Sequence, residues 1–422
     1  MPTIRQALLD TNPWWKGTLT LDYKDRHVYE EIKKFMGMPQ IISLTGLRRT
    51  GKTTLMHKIV YDYINSGFES RNIMYFSFDD FGASELVDIL AEFESITGRS
   101  LESGRFLVLF DEIQKLNNWQ EKLKRIYDKY QKRIKIVISG SESLFIRKRS
   151  KESLAGRIFE FKVTQLSLAE FLRIVGAKTE PIGIYENDLL RQFDEYTLTQ
   201  GFPELIGVKD GAIIKKYVKE NIVEKILYND IPKMFEVDDP SILESMLNVL
   251  LDNPGQLLNV SEFAKELGIE RHTCSKYLSI LEAAFLVKKL YNFSRSARKT
   301  ERKLKKYYPT VISTELLFQE DQFSRSKVFE WNLVRQINPD FFWRDVYKNE
   351  VDMVIKDNVI RPIEIKYGKI ETAGVVAFLK EFGLKKGYIL SHKIEDLRRI
   401  DSMEVEIIPA FRFLLKQGSQ QS

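Results

Sequence analysis

One stretch limits the fold more than any other: Gly46-Leu47-Arg48-Arg49-Thr50-Gly51-Lys52-Thr53-Thr54. A glycine, four residues, then Gly-Lys-Thr is the pattern of a phosphate-binding loop. Its flanks agree with that reading. Gln40-Ile41-Ile42-Ser43-Leu44 reads as a short buried strand, and residues 54–63 read as a helix with Leu55, Ile59 and Tyr63 at helical spacing. Binding a phosphate chain requires this succession, because loop N–H groups converge on the anion and the helix N-terminus adds partial positive charge. Lys52 is placed to reach β- and γ-phosphates, and the Thr53 hydroxyl to hold Mg²⁺. Gly46 and Gly51 omit a Cβ where backbone approaches phosphate or takes positive φ. Arg48, Arg49, Thr50 and Thr54 complete the expected nucleotide-contacting set.

A chain of 422 residues exceeds one ordinary core, so roughly two to four domains are expected. Its 43% hydrophobic and 29% charged residues are those of a globular protein. A net charge of +6 points to a polyanionic partner only where the charge is clustered. A single cysteine, Cys274, excludes an internal disulfide and points to a reducing compartment. With four scattered histidines no zinc cluster is expected. There is no apolar run of membrane-span length and no signal peptide, so a cytoplasmic location is expected.

The first 165 residues alternate strands with helices, which predicts a parallel α/β sheet. Residues 29–35 read as a helix, preceded by Asp25-Arg26, which either borders a base pocket or lies on the surface. A second strand spans 72–78 and ends at Asp79-Asp80, and a helix follows over 84–93. Phe106-Leu107-Val108-Leu109-Phe110 is a continuous apolar run, as in a strand buried on both faces. It ends at Asp111-Glu112, where ligands bind in such sheets. Asp111 would hold Mg²⁺ through water, and Glu112 would orient or deprotonate the attacking water. A fourth strand, 134–138, ends in Ser139-Gly140-Ser141, and Ser139 is expected between the acidic strand end and the γ-phosphate. A fifth, 157–163, follows Leu154-Ala155-Gly156-Arg157.

Together, the glycine loop, Phe110-Asp111-Glu112-Ile113-Gln114, Ser139-Gly140-Ser141 and Leu154-Ala155-Gly156-Arg157 resemble the AAA+-related ATPases of archaea and bacteria. These stand near the STAND signalling ATPases, and many carry a C-terminal DUF4143 region. The resemblance implies ATP and Mg²⁺ as cofactors, Walker A and Walker B roles for the first two motifs and a sensor 1 role for Ser139. It makes Arg157 an arginine finger or phosphate sensor; the alternative is a surface residue opening a strand.

Residues 166–240 read as a helical lid, with a long helix from Gly211 to about Leu227. Gly201-Phe202-Pro203-Glu204 and Asp230-Ile231-Pro232 resemble turns of the same family and are assigned packing roles only. Beyond them, helices at 241–251, 260–267 and 270–284 and two strands, 286–290 and 305–308, look like a winged helix. Arg271, Thr273 and Lys276 would face a groove of DNA, and the wing residues Arg295, Arg298, Lys299, Arg302 and Lys303 would track phosphates. The alternative is a winged helix used for protein contacts.

The last segment holds a second group of charges. Glu330 lies on a helix over 327–337, Asp352 on a strand over 350–355, and Glu364-Ile365-Lys366 on a strand over 361–366. Strand alternation sets Glu364 and Lys366 on one face. Asp352, Glu364 and Glu330 are expected to converge on Mg²⁺ or Mn²⁺, with Lys366 activating water or neutralising phosphate charge. This resembles the PD-(D/E)xK nuclease fold, with Val351 where the motif's proline would stand.

The expected divisions are 1–165, 166–240, 241–312, 313–415 and a disordered tail over 416–422. The expected fold is α/β: an AAA+-like P-loop sheet, a helical lid with winged helix, and a C-terminal α/β nuclease-like domain. The function expected is ATP hydrolysis coupled to DNA binding and metal-dependent cleavage, with ATP-dependent self-association. The alternative is an ATP-dependent signalling switch whose nuclease-like domain cuts nothing and binds a partner.

Overall fold

A computed structural model describes residues 3–17, 19–79, 81–82, 84–140, 154–235, 237–296, 298, 300 and 304–420. The chain forms two compact units, 1–165 and 166–422.

Among the described residues, the first unit is built on five parallel strands: β1 (Ile41–Thr45), β2 (Ile73–Ser77), β3 (Phe106–Asp111), β4 (Ile134–Gly140) and β5 (Ile158–Lys162). Their order is β2-β3-β4-β1-β5, which is a P-loop NTPase sheet. Alternation along β3 shows why its sequence is apolar throughout. Phe106, Val108 and Phe110 enter one core cluster with Phe93, Trp119 and Leu123. Leu107 and Leu109 enter another with Ile32, Leu55 and Ile59. Both faces are thus covered by helices, and no position on the strand meets water.

As an edge strand, β2 leaves backbone groups unpaired on one side, a liability unless something covers them. The N-terminal Asn12-Pro13-Trp14-Trp15 covers them. Asn12 Nδ2 donates to Tyr75 O at 2.8 Å, and Tyr75 N donates back to Asn12 Oδ1 at 2.7 Å. Trp15 Nε1 donates to Ile73 O at 2.8 Å.

Among the described residues, the second unit carries nine strands: β6 (Gln256–Leu258), β7 (Val287–Asn292), β8 (Lys305–Pro309), β9 (Phe341–Arg344), β10 (Glu350–Lys356), β11 (Ile360–Lys366), β12 (Lys386–Ser391), β13 (Asp396–Ile400) and β14 (Met403–Pro409). They form one mixed sheet in the order β13-β14-β12-β11-β10-β9-β7-β8-β6. The helices Val260–Glu266 and Arg271–Ala283 precede the antiparallel β7–β8 hairpin. That is the succession of elements expected of a winged helix.

Four expectations are corrected here. The division at 312 falls within one sheet, because β7 pairs in parallel with β9 at Tyr291↔Phe341 and Asn292↔Phe342. The helices of 166–240 are not a separate body: Leu168, Phe171, Leu189 and Phe193 share one core cluster with Phe329, Leu333 and Phe411. The tail expected at 416–422 is helical as far as Gln420, continuing Ala410–Gln420. The long helix expected from Gly211 is α-helical only to Lys216 and then π-helical over Tyr217–Val223 and Lys225–Asp230. Among the described residues, no helix is long and apolar enough to cross a membrane.

Candidate nucleotide site and carboxylate cluster

The glycine loop joins the C-terminal end of β1 to the helix Lys52–Asn65. At Gly46, φ is 151° and any Cβ would collide with the carbonyl of Val163, so glycine is required there. Lys52 is buried and folds over the loop, donating to Gly46 O at 3.1 Å and Leu47 O at 2.9 Å. Thr50 ties the loop to itself, Oγ1 donating to Leu47 O at 2.9 Å. Arg48 is half-buried and Arg49 is exposed.

Arg26 is not a surface residue. It is 7% exposed, with Nη1 donating to Thr50 O at 2.8 Å and Nη2 to Thr164 O at 2.7 Å. Its guanidinium clamps the loop to the segment that follows β5.

In the sheet, β4 separates β3 from β1, so the acidic strand end and the loop meet across it. Asp111, 3% exposed, is the junction. Its Oδ2 accepts from Thr53 Oγ1 at 2.7 Å and from Tyr75 OH at 2.7 Å, and its Oδ1 accepts from Ser139 Oγ. Ser139 Oγ also accepts from Glu112 N at 3.1 Å. Glu112 itself has φ 53°, a left-handed conformation uncommon for a side-chain-bearing residue. Its Oε2 accepts from Gln114 Nε2 at 2.5 Å. Burial raises the Glu112 carboxyl above the ordinary range against the pull of Lys52, and burial with the Asp111 charge holds the Tyr75 phenol far above its own. Lys52, Thr53, Asp111, Glu112 and Ser139 therefore gather at the C-terminal ends of β1, β3 and β4, where ligands bind in such sheets. Thr53 and Asp111 present two oxygens to one point, which fits a hard divalent cation.

Sequence reasoning missed Tyr75, which is one residue in an apolar strand run; only the parallel register, Ser77↔Asp111, brings it under the carboxylate. Ser141 lies outside the described residues. Arg157 does not join the site. It immediately precedes β5 and donates from Nε to Asp128 Oδ1 at 3.0 Å. The β1 register pairs Thr45 with Lys162, so about five residues at roughly 3.3 Å each, ~16 Å, separate Arg157 from the loop along the strand.

The second group of charges converges differently from the expectation. Glu330 and Asp352 do come together, but around Lys306 of β8. Its Nζ lies 2.5 Å from Glu350 Oε1, 3.3 Å from Asp352 Oδ1 and 3.5 Å from Glu330 Oε1. Tyr308 OH donates to Glu330 Oε1 at 2.6 Å, and Ile365 N donates to Asp352 Oδ2 at 2.8 Å. Glu364 pairs instead with Lys366, at 2.8 Å. Burial and the Asp352 charge push Glu364 up to about 8, against Lys366. Among the described residues, no group of three or more histidine, cysteine or acidic side chains is arranged to hold a metal ion. The expected Glu330–Asp352–Glu364 metal shell is therefore not formed. Lys306, Glu350 and Tyr308 were missed because Lys305-Lys306-Tyr307-Tyr308 reads as a basic wing strand; that Lys306 and Tyr308 share a face was the available signal.

Arg271 and Lys276 are exposed on the helix Arg271–Ala283, and Arg298 is exposed farther along the chain, while Thr273 is half-buried. Arg295 is engaged elsewhere, donating to Phe382 O at 2.7 Å and lying over the Phe382 ring. Lys299, Arg302 and Lys303 lie outside the described residues.

Residues 38–172 match an AAA domain. Residues 190–310 match a domain of unknown function, DUF8612, which crosses the division expected at 240, and residues 328–412 match another, DUF4143. An uncharacterized protein of Haemophilus influenzae is 30% identical over 265 residues, 61% of this chain and 64% of that one. The uncharacterized protein MJ1544 of Methanocaldococcus jannaschii is 27% identical over 261 residues, 59% of this chain and 56% of that one. The match thus spans less than two thirds of the length of either relative. Among solved structures, the Aeropyrum pernix ORC1 protein in complex with DNA is similar with 14% identity and a TM-score of 0.32, over 72% of this chain and 94% of that one. So low a score bears on neither fold nor function. The chain thus joins an AAA domain over residues 38–172, built on a P-loop sheet, to a DUF4143 domain over residues 328–412, an arrangement consistent with the P-loop ATPases that carry a C-terminal DUF4143 region.

Proposed function

We propose that the chain binds and hydrolyses ATP in the cytoplasm and couples the nucleotide to DNA binding by its winged helix. The observation that carries this is the convergence of Lys52, Thr53, Asp111, Glu112 and Ser139 at one end of the parallel sheet. Loop N–H groups and Lys52 bind the phosphates. Thr53 and Asp111 would hold Mg²⁺, which neutralises phosphate charge when bound. Glu112, held in its left-handed conformation by the strand end, takes the proton of the attacking water, and Ser139 fixes the Glu112 backbone at 3.1 Å. Arg157, on the far end of β5, can serve a nucleotide only in a second copy, which makes the ATP-bound state self-associating. Exposed Arg271, Lys276 and Arg298 supply phosphate contacts to DNA. The test is ATP turnover with and without duplex DNA, in Mg²⁺, at several salt concentrations. Turnover lost in Lys52→Ala and stimulated by DNA is expected; no turnover under any of these conditions refutes the reading.

Of the two roles expected for the C-terminal domain, metal-dependent cleavage and partner binding in a switch, one observation favours the second. Two of the three carboxylates that would hold Mg²⁺ or Mn²⁺ for cleavage, Glu330 and Asp352, already face the Lys306 ammonium group.

A further inference from the structure

In sequence, Lys306 belongs to a basic wing, where a solvated charge facing phosphate is the natural assignment. In the fold it is 4% exposed and points inward. An ammonium group has three donors and no acceptor, and here three carboxylates face it from two further elements: Glu350 and Asp352 from β10, and Glu330 from the helix Gln322–Ile337. That helix is set by local chemistry, with Asp321 capping Ser324 N at 3.0 Å. It is long enough to carry Glu330 over the sheet.

Further contacts hold the cluster. Glu350 Oε2 accepts from Arg344 Nη1 at 3.1 Å, Asp352 Oδ2 accepts from Ile365 N, and Glu330 Oε1 accepts from Tyr308 OH. Glu364 bonds Lys366 through Oε1, while its Oε2 is buried without a hydrogen-bond partner. A Mg²⁺ or Mn²⁺ ion in this cluster would have to approach two or more of these oxygens to roughly 2.0–2.2 Å. The space between Glu350, Asp352 and Glu330 holds the ammonium, and like charges so close in a dry site repel strongly. A divalent ion and a charged Lys306 therefore exclude each other. Conversely, a neutral apolar side chain at 306 would leave several buried carboxylates without their central counter-charge, which is the electrostatic condition for capturing a hard cation.

We propose that Lys306 is a built-in counter-ion standing at the cation position of the nuclease-like cluster, so that the C-terminal domain takes no divalent ion and cuts no nucleic acid, and that removing its charge turns the cluster into a Mg²⁺/Mn²⁺ site. This goes beyond the ATPase reading and does not rest on it, because the site contains no residue of the nucleotide loop.

The test uses the full chain without nucleotide and Mn²⁺ alone as probe, with binding read by electron paramagnetic resonance. Binding that depends on Asp352 is isolated by comparison with Asp352→Asn. The wild type is expected to show no Asp352-dependent Mn²⁺. Lys306→Met is expected to gain one Mn²⁺ per chain, lost again in Lys306→Met/Asp352→Asn. A wild-type Mn²⁺ site that disappears in Asp352→Asn overturns the proposal without any Lys306 variant. So does a folded Lys306→Met that binds none. Should Lys306→Met be poorly folded, its melting temperature is measured with and without Mn²⁺. A rise seen in this variant and not in the wild type supports the proposal, and no rise overturns it. Loss of ATP turnover in any of these proteins bears only on the first unit.

Discussion

The Arg26 clamp offers the sharpest quantitative prediction. Replacing it by alanine removes two hydrogen bonds from a charged donor to backbone carbonyls, at 2.8 Å to Thr50 and 2.7 Å to Thr164. Hydrogen bonds to charged groups contribute roughly 1.5–3 kcal/mol each when truncated. The side chain is only 7% exposed, so solvent screening discounts this little. Water entering the space re-satisfies part of the lost bonding, which makes ~3 kcal/mol a fair expectation for the pair. For a domain of about this size a change of ~1 kcal/mol moves the melting temperature by about 2–4 °C, so Arg26→Ala should melt about 6–12 °C lower in its first-unit transition. Because the clamp fixes the loop carbonyl beside Gly51, nucleotide affinity should fall as well. The assay is a calorimetric scan with and without saturating ATP. The stabilisation by nucleotide follows RT ln(1 + [L]/Kd), about 2.7 kcal/mol at a hundredfold excess over Kd, so a weaker Kd shows as a smaller ATP-induced shift. An Arg26→Ala protein that melts with the wild type and shifts equally with ATP would refute the clamp.

Other outcomes follow from the same geometry. Lys52→Ala should lose ATP affinity, whereas Glu112→Gln should keep affinity near normal and slow turnover; wild-type turnover in Glu112→Gln removes Glu112 as the base. Since burial raises the Glu112 carboxyl, the base is protonated and turnover lost as pH falls through a value above the ordinary glutamate range. A pH–rate profile checks this, and an acid limb at the ordinary value contradicts it. Mixing Arg157→Ala with Lys52→Ala protein should restore part of the ATPase rate if Arg157 acts across subunits, and a strictly monomeric active enzyme by light scattering excludes that role. Replacing Arg271 and Lys276 by serine should weaken DNA binding for all sequences alike and flatten its log–log salt dependence by roughly 0.9 per lost duplex phosphate contact; an unchanged slope assigns that helix to protein contacts.

Much of the first unit was legible from residues alone, for a physical reason. Binding a phosphate chain demands local structure, and local structure is written in consecutive residues: a strand, two glycines at fixed spacing, a lysine and a threonine at a helix start. The apolar run 106–110 likewise declared a strand buried on both faces, and β3 covers it. Local patterns also placed the helix-turn-helix elements and the strands carrying Asp352 and Glu364.

Sequence by itself thus determined the kind of sheet, the loop and the acidic strand end, because each depends on neighbours within a few residues. Tertiary structure alone decided partners. Tyr75 meets Asp111 through strand register, Arg26 reaches Thr50 and Thr164 across the fold, and Arg157 stands ~16 Å of strand from the phosphate-binding loop. Lys306 is the clearest case. A lysine in a basic segment has the same one-letter signature whether it faces water or three carboxylates. The difference lies in burial, since the meaning of a charge is set by the groups that replace its water, and those come from strands and a helix distant in the chain.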